Sequence, residues 1–267
     1  MISYLNYFKV RFIVNLQYRA AALAGIVTQL FFGLVFIFMY LAFYESNDTS
    51  NVMNWNQLVS YLWLQQAFFA LTYPFVKDNE LLDMIRNGNL AYELVRPQNF
   101  YFKFYIKMIA ERFVSTLLRF LPVILIGLIL PYPYNLSLPY SFGNFILFII
   151  SLIFACLLIT SISLIIHIIT MFTLESRGII TTYSTIAEVF MGAIIPLPFF
   201  PNWLAKIANF LPFRFISDFP YRIYSNSIQI AEGIKLLILS GIWIIFIIIL
   251  GVYISNLALK KAVIQGG

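Results

Sequence analysis

Residues 143–172 read GNFILFIISLIFACLLITSISLIIHIITMF, thirty positions without one Asp, Glu, Lys or Arg. A helix needs about 20 mostly apolar residues to cross a bilayer. This run is longer, which predicts a tilted span or one that protrudes into water. The rest of the chain carries the same signature. Of its 267 residues 61% are hydrophobic and 10% are charged, whereas a typical soluble domain is charged at roughly a quarter of its positions. The single cysteine, Cys156, lies inside the run, so an intramolecular disulfide and a cysteine-based metal site are excluded.

Five further stretches qualify as spans: roughly 20–43, 57–76, 113–131, 178–198 and 234–256. The 57–76 stretch is the weakest, because Gln57, Ser60, Gln65, Gln66 and Thr72 interrupt it. The expected fold class is all-α. It is a polytopic membrane protein with one transmembrane domain over 1–267 and six transmembrane helices. An interfacial helix over 1–19, a cytoplasmic segment over 77–112 and an outer interfacial segment over 199–232 complete it. No cleavable signal peptide is expected, since the first apolar stretch is longer than a signal core.

The formal net charge is +6. Its basic residues flank apolar runs, which points to orientation in a bilayer rather than to a nucleic-acid partner. With six spans, Lys9, Arg11, Arg19, Lys77, Arg86, Arg96, Lys103, Lys107, Arg112, Arg177, Lys260 and Lys261 fall on one side. Lys206, Arg214, Arg222 and Lys235 fall on the other. The positive-inside rule then places both termini in the cytoplasm of a multi-pass cell-membrane protein.

Three connections carry information. In 77–112, Leu81, Leu82 and Ile85 form one side of a short helix, with Asp83 and Arg86 off that side. Asn87-Gly88-Asn89 ends it, Arg96-Pro97 forces an extended or turning dipeptide, and a second helix runs into the third span. In 196–232, five prolines break an apolar segment into short interfacial helices, with Trp203, Tyr221 and Tyr224 expected at headgroup level. In 1–19, Leu5, Phe8, Phe12 and Leu16 recur at helical spacing, which reads as a helix lying in the interface.

No phosphate-cradling G-x-x-x-x-G-K-[ST], no H-E-x-x-H and no G-x-S-x-G occurs, and the chain has one histidine. No catalytic set, no metal site and no cofactor of its own are expected. If ATP drives this protein, ATP and Mg sit on a partner chain. No internal repeat supports an inverted-repeat transporter.

Polar groups at membrane depth are costly and tend to face a bundle interior or a cavity. Glu188 lies near the middle of the fifth span, and its roles as a structural carboxyl or as part of a translocation path weigh about equally. Lys103, Lys107, Glu111, Ser115 and Arg119 recur every four residues and so share a helix face. A solvated face, with Arg119 snorkelling to the headgroups, is favoured over a substrate-lining one. His167 has apolar neighbours and is read as a helix-to-helix hydrogen-bonding group rather than a proton relay.

The stretch MIRNGNLAYELVRPQNFYF resembles the cytoplasmic motif of permease subunits of type-2 ATP-binding-cassette exporters. LPFRFISDFPYRIY resembles the outer motif of the same subgroup. With the six-span layout the resemblance covers essentially the whole chain. It implies a dimer of permease chains, alike or different, and two copies of a separate ATPase at the cytoplasmic face. It also implies that 77–112 holds a coupling helix docking on that ATPase. By position its contacts would be Asp83, Arg86, Asn87, Gly88, Asn89, Glu93, Arg96 and Pro97, with Gly88 and Pro97 also shaping the backbone. The link containing Glu175 and Arg177 would be a second, smaller contact. The expected function is the membrane permease of an ATP-driven exporter of an unidentified drug-like, lipid-like or peptide substrate. The alternatives are a proton-coupled secondary transporter using Glu188 and His167, or a membrane assembly factor without transport.

Overall fold

The computed structural model describes residues 2–17, 19–46, 53–90, 93, 98–173 and 176–261. Among them the protein is all-helical, with no strand. The helices are α1 Ile2–Asn15, α2 Arg19–Ser46, α3 Trp55–Ala67, α4 Phe69–Thr72, α5 Asn79–Arg86 and α6 Phe100–Leu117. They continue as α7 Phe120–Ile129, α8 Phe142–Thr173, α9 Arg177–Phe190, α10 Asn202–Phe210, α11 Asp218–Tyr224 and α12 Ile230–Lys261.

Four helical stretches are long and apolar enough to cross a membrane: Ala20–Glu45, Phe100–Ile129, Phe142–Thr173 and Ile230–Lys260. They answer to the first, third, fourth and sixth expected spans. Rows of apolar side chains on them face outward, such as Leu23, Val27 and Phe31 on α2 and Ile238, Ile242, Ile245 and Ile249 on α12. Exposed apolar area on this scale demands a lipid or protein environment.

The other two expected spans take a different form. The second is split, because α3 ends at Phe68 and α4 adds one more turn. Its tolerance for glutamines follows from its position: every residue from Leu58 to Ala67 is buried inside the bundle. Trp63 donates its indole N–H to the Tyr134 carbonyl at 2.7 Å. A Cβ on Gly33 of α2 would stand 2.9 Å from the Trp63 ring, so only glycine admits this approach.

The fifth is short. α9 has 14 residues, about 21 Å of helix at 1.5 Å per residue, against a hydrocarbon core of about 30 Å. Gly192 ends it in the left-handed region with φ +78. Tyr61 Oη donates to the Gly192 carbonyl at 2.9 Å, and Gln65 Nε2 donates to Ala193 O, fastening the turn onto α3.

α8 is the central post. It packs against α12, α11 and α6, and its buried face carries Asn144, Ser151, Thr160, Ser161, Ser163, His167 and Thr170. Cys156 is buried on the same helix, on the wall of an apolar groove shared with Phe113, Phe120 and Leu152.

The 199–232 segment forms short helices, and Trp203 projects outward at 66% exposure. Tyr221 and Tyr224 do not face outward. Tyr221 is fully buried edge-on against Tyr61, with ring centroids 5.4 Å apart. Tyr224 is buried against Phe148 and donates its hydroxyl to the Ser137 carbonyl at 3.0 Å. Irregular backbone at membrane depth must bury its polar groups in protein. The Phe215–Tyr221 stretch does so, being buried throughout.

α1 lies along α6. Phe12 meets Phe113 at 6.3 Å, and Tyr4 Oη accepts the Asn99 N–H at 2.9 Å. Leu5 points outward rather than joining Phe8 and Phe12, as do Val10 and Ile13.

Candidate functional site

α5 forms because Asp78 caps it, accepting the Leu81 N–H at 3.0 Å, with Glu80 in its first turn and Arg86 in its last. Both charges suit the helix dipole. Leu81, Leu82 and Ile85 face inward and are buried, while Asp83 and Arg86 are exposed. Gly88, at φ +69, ends the helix. That φ favours glycine, and it turns Asn87 and Asn89 outward. Arg86 Nη2 donates to Ser176 Oγ at 3.0 Å. The exposed end of α5 and the start of α9, where Arg177 is also exposed, therefore form one surface.

Glu93 is placed differently. It is buried in an ion pair with Lys103. Arg96, Pro97 and Glu175 lie outside the described residues.

The periodic basic face of α6 is not solvated, contrary to the sequence expectation. Lys103 and Lys107 are each 3% exposed. Burying an ammonium unpaired costs several kcal/mol, and acids from the preceding segment fold over both lysines. Lys107 Nζ meets Asp78 Oδ1 and Glu80 Oε2, each at 2.7 Å, and Glu111 Oε1 at 4.0 Å. Glu80 reaches on to Arg11 of α1 at 2.8 Å. Burial works against the Glu80 charge, but the hydrogen bonds from Lys107 and Arg11 outweigh it and hold the carboxyl below its ordinary value.

His167 closes the cluster. Its Nε2 accepts the Asp78 N–H at 3.1 Å and its Nδ1 lies 2.7 Å from the Ser163 carbonyl. An Nε2 that accepts requires the proton on Nδ1, so the ring is neutral with both nitrogens engaged. The ring thus bonds to a connecting segment and to its own helix rather than to a second long helix. One turn away, buried Arg112 donates to the Leu71 and Tyr73 carbonyls at 3.0 and 2.8 Å and to Ser163 Oγ at 3.1 Å. It satisfies carbonyls left open where α4 ends.

Arg119 and Glu188 lie elsewhere. Arg119 marks the break between α6 and α7, and its guanidinium rests where a side chain on Gly25 of α2 would be, 2.9 Å from that Cβ position. Glu188 lines a pocket of about 330 Å³ between α2, α3 and α9, together with Gln29, Gln65, Gln66 and a set of aromatic rings. Arg119, His167 and Glu188 thus belong to three separate environments.

Sequence reasoning missed Asp78, Glu80 and Gln29. Asp78 and Glu80 precede Leu81 at the start of an amphipathic turn, which is the available signal for a cap. Gln29, beside Thr28, interrupts the apolar run of α2.

The family model for ABC-2 family transporter proteins matches residues 29–266. No curated protein and no solved structure matches. With all but its first 28 residues and its last one inside that match, the chain belongs to the ABC-2 transporter family.

Proposed function

We propose that this chain is the permease subunit of an ATP-driven exporter, crossing the membrane six times with both ends in the cytoplasm. α3 with α4, and α9 with its following turn, would make the two short crossings. The observation that carries the reading is the Arg86–Ser176 contact, which unites two basic-flanked connections into one exposed polar surface. Asp83, Arg86, Asn87, Asn89 and Arg177 would meet a separate ATPase there. Gly88 would set the turn, and Glu93 would act through Lys103.

ATP and Mg would bind the ATPase, in two copies beneath a pair of permease chains, alike or different. Closure of the ATPases would push α5. α5 is tied to α6 through Lys107, to α1 through Arg11 and, by way of Asp78, to α8 through His167. A push would therefore move several helices together, as two-state switching requires. The Glu188 pocket would lie on the translocation path. Proton coupling through His167 is disfavoured by the engagement of both ring nitrogens.

The test is purification of the chain from its native membrane in mild detergent. Recovery of a soluble ATPase that carries a phosphate-cradling loop, and ATP-dependent transport by the pair in vesicles, is expected. A chain that moves solute alone on an ion gradient, with no ATPase retained, overturns the reading.

A further inference from the structure

The pocket at Glu188 is built rather than incidental. Gln29 is 4% exposed, and neither its amide oxygen nor its amide nitrogen has a hydrogen-bond partner. A buried amide with both ends open costs free energy unless something outside the chain completes it. Gln65 and Gln66, at 6% and 5% exposure, line the same space. Four amide-type or carboxylate side chains, from α2, α3 and α9, thus line one space.

Glu188 is the one charged group among the described residues lining this space, and no basic group among them pairs with it. Phe32, Phe36, Phe69 and Tyr73 line it as well, beside Thr28, Ala193 and Ile194. A lone carboxylate at membrane depth needs a compensating positive charge or a proton. Aromatic faces attract cations as well as apolar groups. An anion would have to approach the Glu188 carboxylate with only the glutamine amides to receive it, and a plain hydrocarbon would leave Gln29 and Glu188 unpaired. The volume suits a small organic molecule.

We infer that the pocket formed by Gln29, Gln65, Gln66 and Glu188 binds amphipathic organic cations, the positive centre at Glu188 and the apolar body on the aromatic rings. The inference rests on the exporter reading for its place on a transport path, but the binding chemistry stands on the chain alone.

The experiment compares two probes of the same shape and opposite charge, tetraphenylphosphonium and tetraphenylborate, by equilibrium binding to the full chain in mild detergent. Tetraphenylphosphonium is expected to bind saturably, and tetraphenylborate is not. Glu188→Gln should weaken the phosphonium about tenfold, the scale of a lost interaction with a charged group, and Gln29→Leu roughly threefold. Glu188→Asp, which keeps the charge on a shorter side chain, should weaken the phosphonium less than Glu188→Gln does, and the melting temperature of each variant in detergent is the folding control. Absent saturation by the phosphonium, equal binding by Glu188→Gln, or equal binding of the borate each overturns the inference. ATP-dependent transport of other solutes, with no phosphonium binding, would overturn this inference alone. Phosphonium binding without any ATP-dependent transport would overturn only the exporter reading.

Discussion

Arg86 and Ser176, 90 positions apart, share a 3.0 Å hydrogen bond that joins the exposed end of α5 to the turn opening α9. The partner expected to drive this protein would meet one continuous surface rather than two independent loops.

Reversing the charge at its centre should break that meeting. Arg86→Glu is expected to lower ATPase co-purification and ATP-dependent transport about tenfold, the scale of a like-charge contact in an interface. Membrane insertion, read by fractionation and protease protection, should be unchanged. Full coupled activity in Arg86→Glu would remove the docking role.

The Asp78–Lys107 pair is buried on both sides, at 2% and 3% side-chain exposure. Removing one partner strands the other. Lys107→Met should destabilise the chain by about 3–5 kcal/mol, seen as a lower melting temperature in detergent. Lys107→Met combined with Asp78→Asn should recover part of that loss. Equal melting of the single and double variants would mean the two charges do not interact.

Glu80 gives the cluster around Lys107 a pH dependence. Its carboxyl titrates below the ordinary range, after burial is outweighed by the hydrogen bonds from Lys107 and Arg11. Its contribution is therefore complete above the unfolded value of about 4.3 and lost as pH falls through the lower folded value. Acidification should release α1 from α5, read by protease access to the Arg11 region. Glu80→Gln should expose that region already at neutral pH. An α1 equally protected in Glu80→Gln would show that packing on α6 alone holds it.

Gly192 has φ +78, and a Cβ there would lie 2.6 Å from the Tyr61 hydroxyl. Gly192→Ala should cost about 1–3 kcal/mol through backbone strain and lower the melting temperature. Gly178, where an added Cβ meets nothing within 4 Å, is the control site for the same substitution. Equal effects at the two positions would contradict the strained-turn account.

What the sequence made legible is local. The Leu81, Leu82, Ile85 spacing predicted a short helix with Asp83 and Arg86 outside it, and Asn87-Gly88-Asn89 predicted its end. The apolar runs 143–172 and 234–256 predicted α8 and α12. Long-range pairing was not legible. Lys107 read as solvated because its partner Asp78 stands 29 positions away. Tyr221 read as interfacial because Trp and Tyr are enriched at membrane–water interfaces, whereas it packs edge-on against Tyr61 in the core. The short α9 was masked by the apolar residues of the turn beyond it, where hydropathy continues and the helix does not. Gln65 and Gln66 read as flaws in a span, because composition does not tell a lipid-facing helix from one enclosed by others.

Cys156, buried on α8, has a practical consequence. The chain's one thiol is shielded by protein, so the native sequence is its own silent background for water-borne maleimides. A cysteine placed at exposed Asp83 or Asn89, or at exposed Lys206, would be the lone reactive site on the molecule. Labelling intact cells and inside-out vesicles in parallel would then assign each connection to its side of the membrane without first engineering the protein blank.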